Sequence, residues 1–242
     1  MEQWNPALKD RGGDSQYGSM ILSMRATGQP VAGVLWYQGE SDSDGAPLEV
    51  YTEKMRGLVA AVRRDLRQPR LPWLMVQIAT VYGSWGGPGW NRMQEQQRLL
   101  PSKIKNLETV SAVDLPLDDN IHISATAFPV LAARLARAAD RLVYGNRREA
   151  PMPALKAIIS PHPKKSPGHI DVVFASVPGG LRSAGEPRGF TLVDAEGGVI
   201  PSIFKTTLHG DTARLHVHQG LILPWGTRLA YGHGRMPVCT IT

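Results

Sequence analysis

The chain passes from an apolar run into a polar loop at Val31-Ala32-Gly33-Val34-Leu35-Trp36-Tyr37-Gln38-Gly39-Glu40-Ser41-Asp42. Residues 31–36 are short, apolar and partly β-branched or aromatic, which is typical of a buried strand in a parallel sheet. The residues that follow are polar, so a loop is predicted from residue 37 to about residue 47. In parallel α/β sheets the loops after the strands carry the functional groups. We therefore expect functional residues directly after this first strand.

Helices and strands alternate around this strand through the first 145 residues. Before it, Tyr17, Met20, Ile21 and Met24 recur at helical spacing, and Ser15 is placed to cap their helix. After it, the pattern predicts a helix over residues 51–66, a strand over 73–79, a helix over 91–100, a strand over 109–113 and a helix beginning near residue 124. This alternation predicts an α/β domain with a parallel sheet. Residues 83–89, which include four glycines, are predicted to form a loop.

The pattern changes after residue 150. Five prolines fall between residues 151 and 167. Short segments of alternating character follow, at residues 170–175, 190–193, 200–204, 212–218, 228–231 and 238–241. Turn residues separate these segments, which indicates a small antiparallel domain of the β-sandwich type. We therefore predict two domains, at residues 1–150 and 151–242.

Composition narrows the classes of protein that this chain can belong to. The 242 residues are 42% hydrophobic and 20% charged, which is ordinary for a globular protein, and no run of 18 apolar residues predicts a membrane-spanning helix. The net charge is +6, but the densest basic cluster, Arg63-Arg64 with Arg67, falls on a predicted helix and is typical of a solvated face. We therefore predict no nucleic-acid partner. Cys239 is the single cysteine, which excludes an internal disulfide and a cysteine-based zinc site.

His122 is the single histidine of the α/β part, and Asp119 precedes it by three residues on a predicted loop between a strand and a helix. At this spacing the carboxylate can reach the imidazole, select its tautomer and stabilise the imidazolium that forms during acyl transfer. The alternative is a helix-capping aspartate beside an exposed histidine. The spacing alone leaves both interpretations open.

Gln38 follows the first strand and is the second candidate. A glutamine at the end of a strand can donate a side-chain N–H to a developing oxyanion, and Gly39 would let backbone approach closely. Glu40 would organise the loop through hydrogen bonds from a buried position. The alternative is an ordinary polar loop in which Ser41 or Asp42 caps a helix.

Two blocks together resemble a known family. The block Leu35-Trp36-Tyr37-Gln38-Gly39-Glu40-Ser41-Asp42 and the later block Asp119-Asn120-Ile121-His122-Ile123-Ser124 resemble those of the sialate O-acetylesterase family, a branch of the SGNH hydrolases. The segment at residues 71–79 is similar to the intervening strand of that family, and the resemblance extends into residues 189–190 and 237–239. The resemblance implies a three-layer, flavodoxin-like SGNH hydrolase domain followed by a β domain.

The resemblance also implies an activity. It implies hydrolysis of O-acetyl esters on sugars, including sialic acids, by a serine nucleophile without a metal or another cofactor. His122 would be the general base, Asp119 its orienting partner and Gln38 an oxyanion donor. The partner would be an acetylated carbohydrate, met outside the cell or in the periplasm by the parent protein.

One part of the family's pattern is absent from this sequence. The family carries its nucleophilic serine in a Gly-Gln-Ser-Asn block after the first strand, and these 242 residues contain no such block. We therefore expect an N-terminally truncated hydrolase domain, with impaired activity alone and with an unpaired edge on the strand Val31–Trp36. The helix-borne Ser15, Ser19 and Ser23, and Ser41 after the glutamine, are poor substitutes for that nucleophile.

Other functions are compatible with the sequence. A non-catalytic carbohydrate-binding protein could retain the same pocket, a partial chain could need an upstream piece for activity, and an interaction module could use the basic surface. His216 and His218 alternate on a predicted strand with His209 nearby, which is compatible with a metal site, a sugar-binding patch or a plain polar strand face.

Overall fold

The computed structural model describes residues 1–83, 89–146, 154–159, 168–218 and 221–242. The chain divides into two compact units, Met1–Glu149 and Ala150–Thr242. Most of the predicted loop at 83–89 and all five prolines between 151 and 167 lie outside the described residues. No helix among the residues described is long and apolar enough to cross a bilayer.

The first unit contains a parallel sheet with the strand order β1-β2-β3. The strands are β1 (Val34–Tyr37), β2 (Trp73–Gln77) and β3 (Leu107–Ser111). The helices are α1 (Gln16–Ala26), α2 (Gly45–Glu49), α3 (Tyr51–Asp65), α4 (Trp90–Lys103) and α5 (Phe128–Leu142). The predicted α/β class with a parallel sheet is confirmed, while the flavodoxin-like order of an SGNH hydrolase stays a prediction.

Helices pack against both faces of this sheet. On one face, side chains from α1, α3 and α4 form a core with Val34, Trp36, Trp73 and Met75. On the other face, Leu74 and Val76 pack against α5. The predicted cap of the first helix is confirmed. Ser15 accepts a hydrogen bond from the N–H of Gly18 and caps α1.

The first strand differs from its prediction in position and in burial. β1 begins at Val34 and not at Val31, because its partner β2 begins after Pro72, which has no N–H to extend the ladder. Val34 and Trp36 are buried, but Leu35 is 66% exposed, so the expectation of a strand buried on both faces is wrong. The reason is that α5 packs over β3 and β2 and leaves Leu35 open.

β1 also lies at an edge. Among the residues that the structure describes, β1 pairs with β2 alone, through the register from Val34↔Trp73 to Tyr37↔Val76. Its backbone groups that point away from β2 therefore have no strand partner there. Pairing of this edge with another chain stays a prediction.

The second unit contains two antiparallel sheets around one core. One sheet has the order β4-β5-β9-β8 and the other β10-β6-β7. Their strands are β4 (Ala154–Ile159), β5 (His169–Ala175), β6 (Phe190–Val193), β7 (Val199–Ile200), β8 (Ile203–His209), β9 (Thr212–Val217) and β10 (Arg228–Tyr231). Ile170, Leu192, Leu215 and Leu229 are among the side chains that form the common core.

Three details of this unit differ from the sequence prediction. The sequence pattern does not predict β4, because the prolines around it favour a linker. The segment predicted at residues 200–204 is divided between the end of β7 and the start of β8, because Ser202 turns back to the carbonyl of Ile200. The segment predicted at 238–241 forms an isolated bridge between Ser183 and Ile241 and no strand.

Candidate active site

Three loops meet beyond the carboxyl ends of β1, β2 and β3. The backbone N–H of Tyr82, in the loop after β2, donates to the carbonyl of Asn120 in the loop after β3 at 2.8 Å. Glu40, in the loop after β1, is close enough to His122 for the charge of each group to affect the pKa of the other. The predicted site residues therefore lie at the end of the sheet where parallel α/β folds carry function.

Asp119 holds His122 through the ring and through the backbone. Its Oδ2 lies 2.6 Å from Nδ1 of the imidazole. Its Oδ1 accepts hydrogen bonds from the backbone N–H groups of Ile121, at 2.8 Å, and of His122, at 2.7 Å. The carboxylate thus fixes both the loop and the ring orientation, and it leaves the second ring nitrogen available to exchange a proton.

The two groups shift each other's protonation in opposite directions. The hydrogen bond from the His122 ring, followed by those from the backbone, lowers the pKa of Asp119 to about 2. The hydrogen bond to Asp119 and its negative charge raise the pKa of His122 above its ordinary value. Both side chains are exposed, at 75% for His122 and 55% for Asp119, so solvent reaches the pair.

The neighbouring aspartate performs the capping role that the sequence left open. Oδ2 of Asp118 accepts from the N–H of Ala125, in the short 3-10 helix Ala125–Ala127 that precedes α5, and Ser124 accepts from the N–H of Thr126. Asp119 is therefore not needed as a helix cap. Asp118 caps the start of the helix, whereas Asp119 orients His122.

Gln38 is placed at this end of β1, but its amide is engaged. Nε2 of Gln38 donates to Oδ2 of the buried Asp42 at 2.6 Å, and Asp42 also accepts from the amino group of Met1. Oε1 of Gln38 is buried and has no hydrogen-bond partner among the described residues. The structure thus brings Asp119 and His122 into contact, whereas Gln38 bonds to Asp42.

Buried polar groups hold the backbone of the Gln38 loop. The carbonyl of Gln38 accepts from Nε2 of Gln97 at 3.0 Å and from the hydroxyl of Tyr51 at 3.0 Å. Oε1 of Gln97 accepts from the N–H of Ile78, which ties the loops after β1 and β2 together. A Cβ at Gly39 would lie 2.4 Å from Nε2 of Gln97, so any side chain there would displace the buried Gln97 amide.

Glu40 and Tyr37 complete the site, and Tyr37 was not anticipated. Burial raises the pKa of Glu40, while hydrogen bonds from the backbone and the charge of His122 act in the opposite direction. Burial and the charge of Glu40 raise the pKa of Tyr37. The sequence signal for both is their place within two residues of Gln38 at the end of a strand.

No described serine is hydrogen-bonded to His122. Ser15 donates to the carbonyl of Leu8 and caps α1, and Ser19 donates to the carbonyl of Gly13. Ser41 is exposed after Glu40. Within the described part of the chain, no group of three or more His, Cys, Asp or Glu side chains could hold a metal ion.

Comparisons with known proteins give the family of this chain and a solved structure of the same fold. The sequence model of the family described as carbohydrate esterase, sialic acid-specific acetylesterase, matches residues 1–141. A probable carbohydrate esterase of Arabidopsis thaliana is 39% identical over 116 residues, which are 47% of this chain and 42% of that protein. A carbohydrate acetylesterase from Xanthomonas citri shares the fold, with a TM-score of 0.68 and 22% identity over 88% of this chain and 47% of that one.

The chain thus spans less than half the length of either relative. The family match covers β1, β2, β3 and both blocks that carry Gln38, Asp119 and His122. The chain belongs to the sialic acid-specific acetylesterase family of carbohydrate esterases.

Proposed function

We propose that this chain contributes the general base to the hydrolysis of O-acetyl esters on sugars. The observation that carries the proposal is the 2.6 Å contact between Oδ2 of Asp119 and Nδ1 of His122, on a loop that Asp119 also orders through two backbone hydrogen bonds. A carboxylate that holds one ring nitrogen leaves the other to take a proton from a hydroxyl nucleophile.

The reaction would proceed by acyl transfer. A serine hydroxyl attacks the acetyl carbonyl while His122 accepts its proton, and the sugar leaves with that proton as an alcohol. Water then attacks the acetyl-enzyme with His122 again as base, which releases acetate. Asp119 stabilises the imidazolium in both steps. We do not assign the serine to a described residue, since Ser15 and Ser19 are engaged in structural hydrogen bonds.

Gln38 would stabilise the oxyanion with its second amide N–H. Its first N–H donates to Asp42, which fixes the plane of the amide. A donor that is held in place before the reaction needs no reorganisation when charge develops, and one such donor contributes ~10²–10³ in rate. Sialic acids are the substrate class that the family description favours.

Acetate release tests this proposal. Acetylated sialic acid and p-nitrophenyl acetate would be supplied to the chain and to a version extended upstream through a Gly-Gln-Ser-Asn block. We expect His122-dependent release in the extended version and little in the chain alone. His122→Ala should abolish that release, because it removes the base.

Other results of the acetate-release assay would favour a different nucleophile or a different function. Equal, His122-dependent activity in both versions would assign the nucleophile to a serine of this sequence. Sugar binding without acetate release in either folded version would contradict the proposal and favour a carbohydrate-binding protein. A fluorophosphonate probe followed by mass spectrometry would identify the labelled serine, with His122→Ala as its control.

We also propose that the free edge of β1 pairs with another strand. No described strand covers the edge of β1, and Leu35, 66% exposed, and Tyr37, 38% exposed, lie on the face of this strand that α5 leaves open. Apolar edges of this kind favour the addition of a strand.

A further inference from the structure

One face of the sheet β4-β5-β9-β8 carries polar side chains, and we call it the outer face. Strand pairing places on it three imidazoles, two cationic groups, one carboxylate and two hydroxyls, from His169, His209, His216, Lys205, Arg214, Asp171, Thr207 and Thr212. The residues between them on β5 and β9, such as Ile170 and Leu215, point into the core. The outer face is thus a concentration of titratable groups that the esterase mechanism does not use.

A threonine links two of these imidazoles. Oγ1 of Thr207 lies 3.1 Å from Nε2 of His216 and 3.1 Å from Nε2 of His209. A hydroxyl can donate to one ring and accept from the other, so the two rings are held on either side of it. His209 is exposed and His216 is partly buried, which makes the pair reachable from solvent.

The single carboxylate of this group is already neutralised. Arg214 donates to both oxygens of Asp171 at 2.7 Å, and His169 lies 3.9 Å from one of them. Because Arg214 compensates Asp171, the net positive potential depends on Lys205 and on the imidazoles. Among the described residues that strand pairing places on this face, Asp171 is the one carboxylate.

An aromatic ring lies next to these cations. The pairing of β8 with β9 is irregular between Ile203 and Lys205, and Phe204 at that irregularity is 70% exposed. Its ring centroid is 6.1 Å from that of His216. An exposed ring offers an apolar surface to the C–H face of a pyranose, and the neighbouring hydroxyl and imidazoles offer hydrogen bonds.

We propose that the outer face binds carbohydrate that carries a carboxylate, with the sugar ring on Phe204 and the carboxylate toward Lys205, His209 and His216. The chemistry is shared by uronic acids and sialic acids. The site lies in the unit Ala150–Thr242, whereas Asp119 and His122 lie in the other unit, so it goes beyond the proposed esterase reaction. Of the described residues that strand pairing places on this face, Lys205 is the one lysine, which is a small charge for a nucleic-acid backbone and favours a sugar.

Binding should strengthen as the pH falls. The groups that face His216 are Lys205 and His209 on β8, Arg214 on β9 and His169 on β5, with Asp171 as the opposing charge. Burial first, and then these positive neighbours, lower the pKa of His216 below its ordinary value. A bound carboxylate favours the protonated rings, so binding takes up protons and gains affinity at acidic pH.

Direct titration of the full chain tests the proposal. Glucuronic acid, N-acetylneuraminic acid, neutral glucose and inorganic sulfate would each be titrated while the imidazole C–H signals of the histidines are followed by NMR. We expect both acidic sugars to shift the signals of His209 and His216, and to bind roughly fivefold more tightly at about pH 5.5 than at about pH 8. Lys205→Gln and Phe204→Ala should each weaken binding by about fivefold or more.

Matched variants separate this site from a general effect. Lys54→Gln removes an exposed lysine from the other unit, and Trp225→Ala removes a ring that is 99% exposed elsewhere in the same unit. Both should leave binding unchanged, as should His122→Ala. Equal binding of sulfate or glucose, loss of binding in a matched variant, or no shift of His209 and His216 would overturn the proposal, whatever the result of the acetate assay.

Discussion

At the scale of single residues, the position of a proton on His122 depends on Asp119 and not on Asp118. Asp119 contacts the ring, which raises the pKa of His122, whereas Asp118 bonds to Ala125. We expect the ring of His122 to titrate above its ordinary range, and Asp119→Asn to move that titration to lower pH. Asp118→Asn removes the same charge one residue away and should move it little.

NMR titration of the His122 imidazole measures these changes in its pKa without any assay of activity. In an active form of the enzyme the neutral ring is the base, so turnover should fall as the pH falls through the raised pKa of His122. Asp119→Asn should shift that acidic limb to lower pH and reduce the maximal rate. Equal shifts from Asp118→Asn and Asp119→Asn would mean that simple charge, and not the hydrogen bond, sets the pKa.

Gly39 is the second residue on which the site depends. In Gly39→Ala the new methyl group would lie 2.4 Å from Nε2 of Gln97 and 3.1 Å from the side chain of Ile78. We expect the free energy of unfolding to fall by about 1–3 kcal/mol, because the buried polar network must shift. Gly57→Ala, where a Cβ meets nothing within 4 Å on the exposed side of α3, should instead stabilise by roughly 0.5–1 kcal/mol. Urea denaturation measures both, and a loss at Gly57 equal to that at Gly39 would contradict the argument.

At the scale of elements, Arg63 joins α3 to the sheet. Its guanidinium donates to the carbonyls of Leu71, Lys105 and Asn106, which precede β2 and β3. We expect Arg63→Met to reduce the free energy of unfolding by about 1–3 kcal/mol, since it removes the donors to these carbonyls. Arg56→Met, which removes an exposed pairing with Glu53, should cost under about 0.5 kcal/mol. A similar loss in both, measured by thermal or urea unfolding, would show that the carbonyl contacts contribute nothing specific.

Local sequence signals predict some features of these elements, and tertiary packing decides the others. Helical spacing and the cap at Ser15 predict α1, and the helical spacing of apolar residues predicts α3, because these signals are local. The exposure of Leu35 depends on how far α5 reaches across the sheet, which no local pattern contains. Asp119 and His122 are neighbours in sequence and were predicted together. The bond between Gln38 and Asp42 competes with the predicted free amide, and only the folded loop reveals it.

At the scale of the whole molecule, the edge of β1 predicts self-association. Among the described residues no strand covers this edge, and Leu35 is 66% exposed on the same strand. A strand added to this edge would place its side chains beside Leu35 on the same face of the sheet, so Leu35→Lys, which replaces an apolar cross-strand contact with a charge, should weaken association by about tenfold or more. Leu22→Lys changes a leucine that is 52% exposed on α1 and not on β1, and it should have little effect. Sedimentation across a range of concentrations measures both, and a chain that stays monomeric throughout, or that responds equally to the two changes, would mean that β1 does not pair with a second copy.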